Sequence, residues 1–121
     1  MGKILIVDDS ALTRRILRRA LESAGHTIVE AENGVQGLEQ YPEIKPDLVI
    51  LDMIMPGIEG LEVLAKILEI NPQARVMIST ADIQSTTRVM AQKAGAAAFI
   101  NKPVDAESLL KTVDGLLNPG A

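Results

Sequence analysis

Three carboxylates, a hydroxyl and an ammonium stand in this chain where apolar runs stop. Leu48-Val49-Ile50-Leu51 runs straight into Asp52, and Ile4–Val7 runs into Asp8-Asp9. Arg75–Ser79 leads to Thr80, and Ala97–Asn101 leads to Lys102-Pro103. Each has an ordinary explanation alone, since Asp starts turns and caps helices and Lys before Pro suits a solvated loop. Together, on four separate strand ends, they share no common structural cause. Carboxylates that converge repel, so one protonates unless a cation neutralises them. A hard divalent ion held by oxygen suits such a cluster, and Mg²⁺ keeps open positions for an incoming phosphoryl oxygen. Lys102 adds a second positive charge and Thr80 a donor. In that setting Asp52 is the nucleophile, taking a phosphoryl group as an acyl phosphate. Cation, ammonium and backbone N–H groups stabilise the transfer.

The elements that would bring these residues together are legible in turn. A run apolar at every position, such as 48–51, suits a strand buried on both faces of a parallel sheet. After Asp8-Asp9, Ser10 or Asp9 caps a helix whose apolar stripe is Leu12, Ile16, Leu17, Ala20, Leu21 and Ala24, with Gly25 ending it. His26–Ala31, less uniformly apolar, reads as an edge strand. Asn33-Gly34 turns into a short helix to about Tyr41, stopped by Pro42, and Asp47–Leu51 is the third strand. Pro56-Gly57 and Gly60 shape the next loop, and Leu61, Leu64, Ile67 and Leu68 line a third helix broken at Asn71-Pro72. A helix over Ile83–Ala94 ends at Gly95. The last helix, capped by Asp105 or Ser108, turns Leu109, Leu110, Val113, Leu116 and Leu117 inward, before a frayed tail from Asn118. Five alternations of strand and helix predict a parallel α/β sheet covered on both faces. Its strand ends share one edge, where open α/β sheets place their ligands.

The totals narrow the class. A chain of 121 residues predicts one domain over 1–121, and 47% hydrophobic with 23% charged residues excludes a disordered composition. With Tyr41 and Phe99 as sole aromatics, the core must be aliphatic. The absence of cysteine excludes disulfides, thiol nucleophiles and Cys-based metal sites. No apolar run reaches a membrane span or a signal peptide, so a soluble, cytoplasmic protein is expected. A net charge of −4 argues against nucleic-acid binding. Arg14, Arg15, Arg18 and Arg19 form a local exception, read as a solvated helix face or a docking patch for an acidic partner.

Asp8-Asp9, Asp52-x-x-Met55-Pro56-x-x-x-Gly60, Ser79-Thr80-Ala81 and Lys102-Pro103 together resemble the receiver domain of two-component response regulators, chemotaxis-type single-domain regulators included. The resemblance spans essentially the whole chain. It implies a flavodoxin-like (βα)5 sheet of order 2-1-3-4-5, an order for which a chemotaxis receiver is itself a standard illustration. It further implies Asp52 as phospho-acceptor, with Asp8, Asp9, Asp52 and the Ile54 backbone carbonyl as Mg²⁺ ligands. Lys102 becomes the phosphate-pairing lysine, through a Lys-Pro bond that is usually cis, and Thr80 the switch hydroxyl. Phe99 takes the position of the switch aromatic, beside its plainer reading as a core ring. Val104 stands where the family often has Phe, a difference of packing. Ile54 and Asp82 occupy positions that tune attack of water on the acyl phosphate. An apolar Ile54 offers nothing to orient that water, which predicts a phospho-Asp52 lifetime set by a partner phosphatase.

The implied partners are a sensor histidine kinase or histidine phosphotransfer protein, meeting the Arg-rich helix and the loop after Lys102, and a downstream effector. The surface of the fourth helix, fifth strand and fifth helix would report the phosphorylated state. Arg88, Lys93, Asp105 and Asp114 supply charges there, but the last helix carries no arginine, and a monomer is expected. The implied role is a signalling switch, not an enzyme beyond its own phosphorylation and dephosphorylation. Two rivals remain open: a small Mg²⁺-dependent phosphohydrolase using Asp52, and a non-phosphorylated pseudo-receiver that only binds partners. The hydrolase lacks a placed general acid or base, His26 being the only histidine, and lacks an insertion for a cap. Neither a P-loop nor G-x-G-x-x-G occurs, which weakens a nucleotide-binding reading.

Overall fold

The structure, a computed structural model, describes residues 2–53, 60–81 and 85–118. Among them five parallel strands alternate with five helices. In chain order they are β1 (Lys3–Val7), α1 (Ala11–Ser23), β2 (Thr27–Ala31), α2 (Gly34–Ile44), β3 (Leu48–Asp52), α3 (Gly60–Ile70), β4 (Val76–Thr80), α4 (Ser85–Lys93), β5 (Ala98–Asn101) and α5 (Ala106–Leu117). The sheet order is β2-β1-β3-β4-β5, the doubly wound arrangement expected above.

Side chains alternate across the pleat, so consecutive residues of each central strand feed opposite cores. Leu5, Val7, Val49, Leu51, Val76 and Ile78 face one way, beneath α2, α3 and Ala91 of α4. Ile4, Ile6, Leu48, Ile50 and Met77 face the other, beneath Leu17 and Leu21 of α1 and Leu109 and Val113 of α5. Both faces being covered explains why β1, β3 and β4 are apolar without alternation. Each fully buried Ile or Leu contributes roughly 1.5–3 kcal/mol. No helix among the described residues is long and apolar enough to cross a membrane.

Caps fix where the helices point. Ser10 accepts from the Thr13 N–H at 3.2 Å, and Asp105, not Ser108, caps α5 by accepting from the Ser108 N–H at 3.1 Å. At the far end of α1, Gly25 takes φ 93, and the Gly25 and His26 N–H groups return to the carbonyls of Glu22 and Leu21. Gly95, at φ 104, ends α4 in the same way.

Three expectations need correction. Pro42 does not stop α2: it lies inside a helix that continues to Ile44. Near a C-terminus proline removes one N–H bond only, and the Lys45 N–H still reaches the Tyr41 carbonyl at 2.9 Å. The helix ends instead at Lys45, whose φ of 51 suits a residue that the following Pro46 bars from right-handed helix. Leu12 and Ile16 do not face the core; they are 66% and 46% exposed. The inward stripe of α1 is Arg14, Leu17 and Leu21. The arginine cluster is therefore not one solvated face: Arg14 is buried and Arg18 half-buried, while Arg15 and Arg19 are exposed. The expected start of the fourth helix at Ile83, and Met55, Pro56, Gly57 and Pro119–Ala121, lie outside the described residues.

Gly60 sets the spacing between α3 and the end of β3. Its N–H donates to the Met53 carbonyl at 3.0 Å, and a Cβ there would stand 2.6 Å from the Asp52 carbonyl oxygen and 2.8 Å from Met53 Cα. Backbone cannot yield as a side-chain tip can, so Gly60→Ala is expected to destabilise by about 1–3 kcal/mol in urea unfolding. Gly115, inside α5 with nothing within 4 Å of the same added carbon, gives the control. Gly115→Ala is expected to stabilise by about 0.5–1 kcal/mol, so midpoints shifting in the same direction would contradict this account.

Candidate functional site

The strand ends meet at one edge of the sheet. Asp52 is the last residue of β3, Asp8 and Asp9 follow β1, Thr80 closes β4, and Lys102 follows β5. Carboxylate oxygens of Asp8, Asp9 and Asp52 all lie within 4.8 Å of one another. Asp8 and Asp52 are buried, at 1% and 6% exposure, and Asp9 is open to solvent. Thr80 is buried beside them, and Ser79, paired with Asp52 in the β3–β4 register, carries a buried hydroxyl with no hydrogen-bond partner among the described residues.

Lys102 is the counter-charge. Its Nζ lies 3.1 Å from Asp8 Oδ2 and 3.2 Å from Asp52 Oδ1. Its backbone N–H donates to the Thr80 carbonyl at 2.9 Å, and the Lys102-Pro103 bond is cis, as the resemblance implied. Burial, the largest single influence on the ammonium, favours its neutral form. Hydrogen bonding and attraction to Asp8 and Asp52 together outweigh it and hold Lys102 above the ordinary lysine value of 10.5. Among the described residues one ammonium meets three carboxylates, which leaves the pocket short of positive charge. The donor set, carboxylate oxygens opening to solvent at Asp9, suits a hard divalent cation of the Mg²⁺ kind.

Asp8 is held from several directions. Its Oδ1 accepts from the Ser10 N–H at 2.8 Å, and its backbone N–H donates to the Ala31 carbonyl at 3.1 Å. Its own carbonyl accepts from Arg14 Nη1 at 2.7 Å. Arg14 Nε in turn donates to Glu30 Oε1 at 2.9 Å, and the other Glu30 oxygen pairs with Arg18. Arg14 and Glu30 belong to the site's frame, and sequence reasoning missed them. The signal was present, because Arg14 stands three and seven residues before Leu17 and Leu21, on the same helical face.

Phe99 is half-buried on β5 against the core beneath α2 and α3. The Arg88 guanidinium lies 5.9 Å from its ring centroid and donates to Asn101 Oδ1 at 2.8 Å. Ile54 and Asp82 lie outside the described residues.

Comparison with known proteins agrees with this edge. The family profile of the response regulator receiver domain matches residues 4–114. The chain is 41% identical over 117 residues to the chemotaxis protein CheY of Bacillus subtilis, covering 96% of this chain and 98% of that one. It is 39% identical over 120 residues to the protein PilH of Pseudomonas aeruginosa, covering 97% and 98%. Among solved structures, chemotaxis protein CheY4 of Vibrio cholerae superposes with a TM-score of 0.92 at 27% identity, covering 97% of this chain and 99% of that one. The chain belongs to the response regulator receiver domain family. Membership implies phosphorylation-dependent signalling fed by a kinase, in place of a conventional enzyme's turnover, and an acidic triad of the type receivers use for Mg²⁺.

The Lys102 geometry fixes a pH dependence. A group with a raised folded pKa binds its proton more tightly in the native state. Its stabilisation is therefore full below the unfolded value of 10.5 and is lost as pH rises through the higher folded value. In metal-free buffer Lys102→Met is expected to be less stable than wild type by a margin constant from neutral pH to about 10, narrowing above it. Urea unfolding across that range measures the margin. A margin that already changes between about pH 7 and 9 would assign it to another group.

Proposed function

We propose that this chain is a phosphorylation-controlled signalling switch in which Asp52 accepts a phosphoryl group from a phosphohistidine. The observation that carries the reading is Lys102 Nζ bridging Asp8 and Asp52 inside the acidic triad. In this assignment Asp8, Asp9, Asp52 and the backbone carbonyl of Ile54 would hold Mg²⁺. When bound, the cation supplies positive charge that offsets the carboxylates and the transferring phosphoryl oxygens.

An Asp52 carboxylate oxygen attacks phosphorus as the P–N bond of the donor histidine breaks, leaving the electron pair on its imidazole. Lys102, already beside Asp52, exchanges a carboxylate for a phosphoryl oxygen, and the Thr80 hydroxyl donates to another. The new charge at Asp52 draws Thr80 toward it, and Phe99 follows into the space released. The surface of α4, β5 and α5 then changes, so an effector preferring that surface reads the phosphorylated state and favours it in return. Exposed Val89 and Met90 on α4 give that surface apolar area. We assign the whole of 1–121 to this one receiver, acting as a cytoplasmic monomer without nucleic-acid or membrane contact of its own.

A phosphodonor partner has a suitable landing beside Asp52. Leu12, Thr13, Ile16, Lys102, Pro103 and Val104 line a shallow recess of about 230 Å³, with Leu12 and Ile16 largely exposed. Apolar area next to the acceptor suits a helical face of a sensor kinase or histidine phosphotransfer protein. The exposed Arg15 and Arg19 on the same helix add positive charge for an acidic rim.

Incubation with Mg²⁺ and a small-molecule phosphodonor, followed by intact mass measurement, tests the reading. One added phosphoryl group is expected, absent in Asp52→Asn and without Mg²⁺. Steady donor turnover with no adduct would favour a phosphohydrolase, and neither adduct nor turnover a binding module alone. With apolar Ile54 after the acceptor, the adduct on purified protein is expected to outlast seconds, and loss within seconds would contradict a lifetime set by a partner phosphatase.

A further inference from the structure

Asp8 is hydrogen-bonded through its N–H, its carbonyl and Oδ1, and one of those bonds reaches Asp9. The carbonyl oxygen that accepts from Arg14 Nη1 at 2.7 Å belongs to the peptide unit joining Asp8 to Asp9. That unit is planar, so a bond to its oxygen fixes the tilt of the plane and with it the place of the Asp9 Cα. Asp9 itself is exposed and makes no side-chain hydrogen bond or ion pair among the described residues. Its carboxylate is thus directed by backbone alone, and Arg14 holds that backbone.

Arg14 is in turn immobilised from the edge strand. It is 9% exposed, its Nε donates to Glu30 Oε1 at 2.9 Å, and its Nη2 lies 4.0 Å from Glu32 Oε1. Arg18 clamps the other Glu30 oxygen and donates to the Ile28 carbonyl at 3.1 Å, without touching Asp8. A planar guanidinium serves two acceptors at fixed angles, which a lysine ammonium or an apolar chain does not reproduce. Without it, the Asp8 carbonyl is a buried acceptor lacking its side-chain donor, and the turn shifts to find another.

We propose that Arg14 is a positioning residue for cation binding, orienting the Asp8–Asp9 peptide so that both carboxylates converge with Asp52. The proposal rests on the reading of that triad as a Mg²⁺ site. It differs in sign from a purely electrostatic role. Deleting a positive charge near an anionic pocket would tighten cation binding, whereas loss of the peptide's tether weakens it.

Titration with Mg²⁺ alone, at fixed ionic strength and followed by calorimetry or amide NMR shifts, separates the two. Arg14→Met is expected to raise the Mg²⁺ dissociation constant roughly tenfold, and Arg14→Lys by a smaller factor in the same direction. Arg18→Met removes the neighbouring half of the clamp and is expected to lower urea stability while changing Mg²⁺ affinity by less than about twofold. Should Arg14→Met fail to fold, Arg14→Lys decides. Wild-type affinity or tighter binding in either folded Arg14 variant, or equal losses in the Arg14 and Arg18 variants, would overturn the proposal. Wild-type protein that binds no Mg²⁺ would instead overturn the reading of the triad beneath it.

Discussion

The crowding of Asp8, Asp9 and Asp52 around the Lys102 ammonium is the constraint on which the rest of this structure depends. Carboxylate oxygens within 4.8 Å of one another repel, and burial of two of the three removes the water that would screen them. Lys102 answers part of that repulsion by reaching Asp8 and Asp52 together. Such a lysine must approach from a strand other than those bearing the acids. The sheet order supplies this: β1 and β3 are neighbours and deliver the carboxylates, while β5 delivers the lysine from beyond β4. The Thr80 carbonyl, at the end of the intervening strand, anchors the Lys102 backbone. Topology and electrostatics are one requirement here, since another strand order would separate the charges from their counter-charge.

The first helix divides its labour by face. Its inner face carries Leu17 and Leu21 into the core and Arg14 beneath the Asp8–Asp9 turn. Its outer face leaves Leu12 and Ile16 exposed next to Lys102 and Pro103. These two side chains leave apolar area open to solvent beside the acidic edge. The same element then fixes the acids from below and offers apolar surface from above.

The architecture was legible because strand and helix periods differ and the sheet's two covered faces left unbroken apolar runs. The acidic edge was legible for a related reason, since a charge ending an apolar strand has few places to go. What escaped reading depended on partners distant in sequence. Arg14 and Glu30 look like surface charges one at a time; their burial follows from β2 being an edge strand against which α1 packs. Leu12 and Ile16 fit an apolar stripe by residue type, but the helix rotates so that Arg14 takes the inner position, drawn by the Asp8 carbonyl and Glu30. Pro42 reads as a stop because proline breaks helix interiors, and it escapes that rule by sitting near the end, where one lost bond matters little.

A pocket that is short of positive charge cannot be held together by its own charges, so its geometry has to come from the backbone around it. That is where the tight contacts of this structure lie. Asp8 is fixed through its N–H, its carbonyl and a carboxylate oxygen to β2, α1 and the Ser10 turn. Gly60 brings α3 against the Asp52 carbonyl with no room for a methyl group. Among the described residues the Lys102 side chain, by contrast, is held by the two acids it bridges and by no backbone group. An Asp8 hydrogen-bonded on three sides and a lysine held by side-chain charge give the pocket a rigid part and an adaptable one. The ends of β4 and β5 share the Thr80–Lys102 backbone bond, so the lysine's strand end and the threonine's are mechanically one unit.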